Sequence, residues 1–347
     1  MKVLSVVGAR PQFVKLAAIA REFRAAGVDH VIVHTGQHYD PELSDVFFRD
    51  LDIPAPDEHL GVGSGSHGVQ TGAILAALDD VLLRHRPDWV LVYGDTNSTV
   101  AAALSAVKLH LPVAHLEAGL RSFNRRMPEE HNRVLTDHAA DLCLAPTAVA
   151  MAHLAAEGLA EVSVEVGDVM VDVLYATRDR LGIAPDLERS GYLATLHRAE
   201  TTDDPERLET ILSALAELDD HVTLFAHPRL VARAGELGVE LERGGIDVRP
   251  PAAYPDLVRA VASSRGVVTD SGGLQKEAFL LRTPCTTVRS ETEWVETIEL
   301  GWNVLATTRE GIIAAAARPA PTPTDAAPYG AGDTAARVRR ALEERIR

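Results

Sequence analysis

Short runs of β-branched and other apolar residues alternate along this chain with longer segments whose apolar residues recur at helical spacing. Such alternation predicts βαβ units, and strands that are apolar throughout predict a parallel sheet covered by helices on both faces. The predicted strands are 2–7, 30–34, 89–93, 113–117, 142–145, 162–166, 192–196, 222–226, 247–249, 266–269, 285–288 and 303–305. The predicted fold class is therefore α/β, with two Rossmann-like doubly wound domains that face a cleft.

The length of 347 residues agrees with two domains. We place an N-terminal Rossmann-like domain at 1–168 and a C-terminal Rossmann-like, nucleotide-binding domain at 169–330. A short charged helix within 331–347 then docks back, and we expect it to pack on the N-terminal domain. The Pro-rich stretch 318–328 is a connector, because it cannot be helical throughout.

The charge and the cysteine content exclude several classes of protein. There are 34 Lys and Arg against 50 Asp and Glu, a formal charge of −16, which disfavours nucleic acid and anionic lipid as partners. No apolar stretch is long enough to span a bilayer. The two cysteines, Cys143 and Cys285, lie far apart without a Cys/His cluster, so neither a metal site nor a disulfide framework is expected. A reducing cytoplasm fits best.

Three carboxylates of the first half follow predicted strands or open a predicted helix. Asp95 comes after 89–93, Glu117 ends 113–117, and Glu129 follows Pro128 at a helix start. Clustered carboxylates raise one another's pKa, which suits general acid/base chemistry. The ordinary alternatives are a helix cap for Asp95 and a helix-dipole partner for Glu129, and the residues alone leave them open.

A candidate anion site follows the first predicted strand. Gly8 permits a tight turn and Pro11 suits the first position of a helix, so Arg10 and Lys15 would lie near a positive helix end. The alternative is a plain turn with solvent-facing cations.

The second half offers a phosphate cradle and two loop histidines. Ser271, Gly272 and Gly273 link a predicted strand to a helix, where free backbone N–H groups bind phosphate, and Glu277 lies one turn further on. A Ser/Gly helix cap is the alternative. His197 and His227 each follow a strand at the same edge of the predicted second sheet, where a plain loop histidine is equally compatible.

The ordered motifs resemble the non-hydrolysing UDP-N-acetylglucosamine 2-epimerases. They are GARPQFVK (8–15), HTGQHYD (34–40), YGDTNST (93–99), HLEAGLRS (115–122), MPEEHNR (127–133), GDVMVD (167–172) and DSGGLQKE (270–277). The resemblance covers most of the chain.

The resemblance implies a GT-B-like architecture, a homodimer and a reaction without a cofactor. UDP leaves a UDP-activated 2-acetamido sugar by elimination and adds back with C2 inverted. The positions that match catalytic groups are Asp95, Glu117, Glu129 and His197. Those that match the binding of UDP and sugar are Arg10, Lys15, Arg133, His227, Ser271, Gly272, Gly273 and Glu277.

One departure concerns the sugar. Many family members have an arginine where this chain has Trp294, and the ETEW pattern together with HRAE at 197–200 resembles enzymes that act on modified UDP-sugars, including a 2,3-diacetamido uronic acid. The leading hypothesis is interconversion of UDP-GlcNAc and UDP-ManNAc. The alternatives are an epimerase of a modified UDP-HexNAc, a hydrolysing 2-epimerase, a GT-B glycosyltransferase and a non-catalytic sugar-nucleotide sensor.

Overall fold

The structure is a computed structural model that describes residues 1–37, 53–184 and 187–346, without the side chain of Arg10. The end of the HTGQHYD motif, from His38 to Asp40, therefore lies outside the described residues. The chain divides into two compact units, one of Met1–Val173 with the segment from Ala327 onwards, and one of Leu174–Ala326.

The first unit is built on a seven-stranded parallel sheet in the order β3-β2-β1-β4-β5-β6-β7. Its strands are β1 (Lys2–Val7), β2 (Asp29–His34), β3 (Glu58–His59), β4 (Trp89–Tyr93), β5 (Val113–Leu116), β6 (Leu142–Ala145) and β7 (Ser163–Glu165). Its helices are α1 (Arg10–Ala25), α2 (His67–His85), α3 (Asn97–Lys108), α4 (Pro128–Ala139), α5 (Ala148–Ala156) and the start of α6 (Val169–Arg180). The central strands are almost wholly buried because helices cover both faces.

The second unit repeats this plan with a six-stranded parallel sheet in the order β10-β9-β8-β11-β12-β13. Its strands are β8 (Tyr192–Leu196), β9 (Val222–Ala226), β10 (Ile246–Arg249), β11 (Gly266–Thr269), β12 (Cys285–Thr287) and β13 (Asn303–Leu305). Its helices are α7 (Ala199–Thr202), α8 (Pro205–Ala216), α9 (Pro228–Leu237), α10 (Tyr254–Ser263), α11 (Gly272–Leu280), α12 (Val295–Glu299) and α13 (Arg309–Ala316). Two parallel-sheet α/β domains confirm the predicted fold class.

The last helix, α14 (Thr334–Glu344), packs against α1 in the first unit. The indole N–H of Trp89 donates to the Leu342 carbonyl at 3.1 Å, and Arg339 pairs with Glu22 at 2.9 Å. At its N-terminus, the buried Asp172 accepts hydrogen bonds from the backbone amides of Thr334 and Ala335. Asp172 thus caps this helix from α6.

Twelve of the strands agree with the predicted ones to within a residue or two, whereas β3 and the helices α5, α6 and α7 were not predicted. The β3 strand has only two residues, and α7 has four, too few for a periodic pattern. Helix α5 is apolar on nearly every side, so it shows no amphipathic alternation. The sequence predicted the junction between the domains at 168. In the structure the two units divide after Val173, which lies inside α6.

Candidate active-site edges of the two sheets

Asp95 and Glu117 follow adjacent parallel strands, so both lie at the carboxyl edge of the first sheet. Glu117 adopts φ = +70°, a left-handed conformation that a residue with a side chain rarely takes. Gly94 has φ = +61°, and a Cβ there would lie 3.3 Å from Glu117 Oε2 and 3.4 Å from Lys15 Nζ. The positive φ of Gly94 favours glycine, and a Cβ there would also be in tight contact with both charged groups.

Lys15 reaches this edge from α1 and forms an ion pair with Glu117 in which both side chains are nearly buried. Burial lowers the pKa of Lys15, but the Glu117 carboxylate and the charges of Asp95 and Asp168 outweigh it, so that this pKa lies above its usual value. Lys15 is therefore held as a cation beside two of the predicted catalytic carboxylates.

Asp95 is held by helix α4. Arg133 donates to its carboxylate at 2.5 Å, and the side-chain amide of Asn132 donates to its backbone carbonyl at 2.9 Å. Arg133 also pairs with Glu130 at 2.9 Å. The structure thus brings Asp95, Glu117, Lys15 and Arg133 together in one unit.

Adjacent glutamates at the start of α4 have different surroundings. Glu130 is 4% exposed and accepts hydrogen bonds from the Ser122 backbone and hydroxyl and from the Phe123 backbone. Burial raises the pKa of Glu130, but these bonds and Arg133 bring it below its usual value. Glu129 is half-buried, and its side chain has no hydrogen bond or ion pair to any other described residue. Glu129 is consequently the one of the two that stays available to a ligand.

The turn after β1 is fastened by Gln12, which the sequence analysis did not single out. Its side-chain oxygen accepts from the amides of Gly8 at 2.8 Å and Ala9 at 3.0 Å. Its amide donates to the Tyr93 carbonyl at 2.8 Å, just before the loop that carries Asp95. Gly8 has no room for a side chain, because a Cβ there would overlap the Thr35 and Ser98 hydroxyls.

A second group that sequence reasoning missed is the fully buried pair of His115 and Asp137. Asp137 lies seven residues after Glu130 on α4, so both fall on the buried face of that helix. A charged residue at a position that packing reserves for apolar groups was the available signal. Burial raises the pKa of Asp137, but the charges of His115 and Arg121 outweigh it and leave this pKa below its usual value.

In the second unit, His197 follows β8 and is braced by Asp270, which follows the neighbouring strand β11. The buried Asp270 carboxylate accepts from the amides of His197 at 3.1 Å and Arg198 at 3.0 Å, and lies 3.2 Å from His197 Nδ1. Burial raises the pKa of Asp270, but these partners leave it below its usual value. The imidazole itself is 42% exposed. His227 lies 6.2 Å away between ring centroids and caps α9 through Nδ1.

Helix α11 begins directly at the predicted phosphate cradle. The Ser271 hydroxyl caps it by accepting from the Leu274 amide at 3.5 Å, and Ser271 itself is held by the Gln275 side chain through its carbonyl. Within the described part of the chain, the amides of Gly272 and Gly273 have no protein acceptor. Both amides therefore remain available to an anion. Glu277 lies one turn into the same helix.

Charged side chains surround this cradle. A Cβ on Gly272 would lie 2.5 Å from Glu293 Oε1, so the carboxylate of Glu293 sits directly against the turn. Glu293 pairs with Arg289 at 3.0 Å and with Arg198 at 3.6 Å. Next to it, Lys276 Nζ lies 4.4 Å above the Trp294 ring. Arg198 and Arg289 thus offset the Glu293 carboxylate at this turn, and Lys276 adds a third cation on helix α11.

Two remaining observations concern metals and membranes. Among the residues that the structure describes, no group of three or more His, Cys, Asp and Glu side chains is arranged to hold a metal ion. None of the described helices combines the length and apolarity that a membrane span needs.

Known proteins match this chain over nearly its whole length. A family model described as UDP-N-acetylglucosamine 2-epimerase matches residues 21–343. The UDP-2,3-diacetamido-2,3-dideoxy-D-glucuronate 2-epimerase of Pseudomonas aeruginosa is 45% identical, over 97% of this chain and 98% of that protein. The UDP-N-acetylglucosamine 2-epimerase of Methanocaldococcus jannaschii is 41% identical over 88% of each chain.

Solved structures agree with these relatives. The M. jannaschii UDP-GlcNAc 2-epimerase in complex with UDP-GlcNAc and UDP superposes with a TM-score of 0.83 at 37% identity, covering 99% of this chain and 100% of the other. The Neisseria meningitidis UDP-GlcNAc 2-epimerase bound to UDP-GlcNAc gives 0.84 at 27% identity with the same coverage. The two parallel sheets, the ordered motifs and these similarities together show that the chain belongs to the UDP-N-acetylglucosamine 2-epimerase family.

Proposed function

We propose that this chain interconverts UDP-GlcNAc and UDP-ManNAc by eliminating UDP and adding it back after inversion at C2. The observation that carries the proposal is the carboxyl edge of the first sheet, where Asp95 and Glu117 lie beside Lys15. Proton transfer at carbon needs a base and an acid at fixed positions, and paired carboxylates supply both.

Elimination of UDP breaks the C2–H and C1–O bonds and forms a C1–C2 double bond. A carboxylate removes the proton at C2, the C2–H electron pair forms the C1–C2 double bond, and the C1–O bond breaks with its electrons on UDP. In the return step UDP oxygen attacks C1 and an acid delivers a proton to the other face of C2. We assign these roles to Asp95, Glu117 and Glu129 as a group, with His197 as a further catalytic residue.

The second unit supports the part of the proposal that concerns UDP. A departing diphosphate gains negative charge, which open helix amides and nearby cations stabilise. Gly272 and Gly273 offer such amides, and Arg198 and Arg289 lie close by. We therefore assign diphosphate binding to the Ser271–Gly273 turn and ribose binding to Glu277, with Arg10, Lys15, Arg133 and His227 as further binding residues.

A modified sugar is the second candidate substrate. The relative that acts on a 2,3-diacetamido uronic acid matches this chain over nearly its whole length, and Lys276 stacked on Trp294 adds a cation beside the phosphate turn. A uronate carries a carboxylate that an additional cation would neutralise. We propose this UDP-linked uronate as the alternative to UDP-GlcNAc.

The test is a panel of UDP-sugars incubated with the protein in D₂O and followed by NMR at C2. Deuterium at C2 and the matching C2 epimer are expected for the true substrate, with UDP still attached to the sugar. Free UDP with free ManNAc would favour a hydrolysing enzyme, and turnover only after an acceptor is added would favour a glycosyltransferase. No change in any sugar, with UDP binding retained, would favour a sensor.

Assembly and location are also proposals. The family resemblance supports a homodimer, which light scattering on the purified protein tests directly.

The two cysteines, Cys143 and Cys285, are free and buried, which suits a reducing compartment. We propose a cytoplasmic location, to be checked by cell fractionation.

A further inference from the structure

We propose that Asp137 is a positioning residue that fixes the placement of both Glu117 and Asp95 through one buried network. This inference rests on the proposed epimerisation, since it concerns what holds two of its acid/base groups. The network consists of Asp137, His115 and Arg121, and all three side chains are almost fully inaccessible to solvent.

The first arm of the network reaches Glu117 from both sides along the chain. Asp137 Oδ1 lies 2.6 Å from His115 Nδ1, two residues before Glu117. Asp137 Oδ2 accepts from the backbone amide of Gly119, two residues after Glu117, at 3.0 Å, and pairs with Arg121 at 2.7 Å. One carboxylate therefore clamps the segment on each side of the proposed catalytic glutamate.

Glu117 needs such a clamp because its backbone is strained. A left-handed conformation is unfavourable for a residue with a side chain and persists only where the surrounding contacts enforce it. The amides of Glu117 and Ala118 both donate to the Leu144 carbonyl, at 3.1 and 3.2 Å, so the centre of the segment is also held. The segment around Glu117 is therefore held at its centre by Leu144 and at both ends by Asp137.

The second arm reaches Asp95 through the imidazole. His115 Nε2 lies 2.7 Å from the carbonyl oxygen of Gly94, the residue directly before Asp95. A carbonyl and an ionised carboxylate only accept hydrogen bonds, so the ring serves both only when each nitrogen carries a hydrogen. The charges of His115 and Arg121 then compensate the buried Asp137 carboxylate, which would otherwise be strongly disfavoured.

A residue that merely stabilised the fold would have a different signature from a positioning residue. A displacement of about 1 Å at a reacting group costs roughly 100-fold in rate, so a positioning residue should change kcat far more than it changes UDP affinity. The informative quantities are therefore kcat and KM measured separately, alongside UDP affinity and thermal stability.

The experiment compares Asp137→Asn and His115→Gln with the unmodified protein in the C2 epimerisation assay. Asp137→Asn disturbs both arms, so kcat should fall roughly 100-fold with KM and the Kd for UDP within about threefold. In His115→Gln the side-chain amide can still donate to the Gly94 carbonyl, and Asp137 still accepts from the Gly119 amide. A fall in kcat of roughly tenfold is therefore expected. Asp172→Asn is the matched control. Asp172 is also a buried carboxylate that accepts from backbone amides, but those amides are at the start of helix α14.

An Asp137→Asn variant that keeps wild-type kcat would overturn the proposal, as would equal losses of kcat in Asp137→Asn and in the Asp172→Asn control. If Asp137→Asn does not fold, His115→Gln decides, and wild-type kcat in that variant counts against the network. Ring ¹⁵N chemical shifts of His115 give an independent reading, since a ring without a hydrogen on Nε2 would contradict the second arm. If the unmodified protein leaves every UDP-sugar unlabelled, the proposed function is refuted instead. The ¹⁵N measurement needs no turnover and still tests the network in that case.

Discussion

Two buried aspartates, Asp137 in the first unit and Asp270 in the second, hold the loops at the carboxyl edges of their sheets in different ways. Each lies beside a histidine Nδ1 and accepts from backbone amides. Asp137 is also paired with a buried arginine and braces loops that carry paired charges. Asp270 is held by the His197 side chain and by the backbone amides of His197 and Arg198, and the turn that follows it leaves the amides of Gly272 and Gly273 without an acceptor among the described residues.

The difference indicates what each edge is built for. Fixed ion pairs place carboxylates and cations before any ligand arrives, which suits proton transfer. Open amides at a helix start suit an anion that arrives with a substrate. The four predictions below test this contrast, from the largest expected effect to the smallest.

The largest effect is expected for Glu117→Gln. The amide cannot take a proton from C2 and cannot pair with Lys15, so kcat should fall by about 1,000-fold. UDP affinity, measured by calorimetry, should stay within about threefold. The exposed Glu165→Gln on strand β7 is the control. Unchanged deuterium incorporation at C2 would remove Glu117 from the mechanism.

Asp270→Asn should destabilise the second unit by about 2 kcal/mol at pH 7, because an amide cannot accept from all three donors. The pKa of Asp270 is lowered in the folded protein, so its ionised form stabilises the fold above the unfolded pKa. That contribution is lost as the pH falls below about 3.9 and through the lowered value. Urea unfolding at several pH values should therefore show the variant and the unmodified protein converging in acid. A constant gap would contradict this account.

Gly273→Ala tests whether a ligand approaches the backbone of the phosphate turn. Apart from its chain neighbours and its own helix backbone, no described residue lies within 4 Å of a Cβ placed there, so the free protein should fold normally. UDP affinity should fall by about tenfold if the diphosphate contacts this backbone. Gly235→Ala in helix α9, where a Cβ also meets nothing within 4 Å, is the matched control and should bind UDP like the unmodified protein. Full affinity in Gly273→Ala would place the diphosphate elsewhere.

The smallest effect concerns Asp172, the buried cap of helix α14. Removing the cap in Asp172→Ala should cost about 1 kcal/mol of unfolding free energy. Burial raises the pKa of Asp172, so its ionised form is disfavoured in the folded protein. Relative to Asp172→Asn, the unmodified protein should therefore gain stability as the pH falls towards this raised pKa, the opposite trend to Asp270. Calorimetric melting of the unmodified protein and of both Asp172 variants between pH 7 and 4 measures these differences in stability.

Much of the site could be located from the sequence, because the ends of parallel strands are readable and functional loops follow them. Asp95, Glu117, His197 and Ser271 were placed after predicted strands in this way, and Lys15 was also predicted as a binding residue. Which side chains pair with one another was not predicted, since Lys15 and Glu117 are 102 residues apart and Asp137 and His115 are 22 apart. Nothing in a local pattern states which distant side chain will neutralise a buried charge.

The amino-acid order by itself determined the two parallel sheets, the edge at which the candidate residues lie and the family, because hydrophobic periodicity and motif spacing are local properties. Only the tertiary structure decided that Glu117 adopts a left-handed backbone and that Glu130 rather than Glu129 is tied into the protein. These features arise from contacts between residues far apart in the chain, whose energies depend on burial and charge that exist only once the elements have packed.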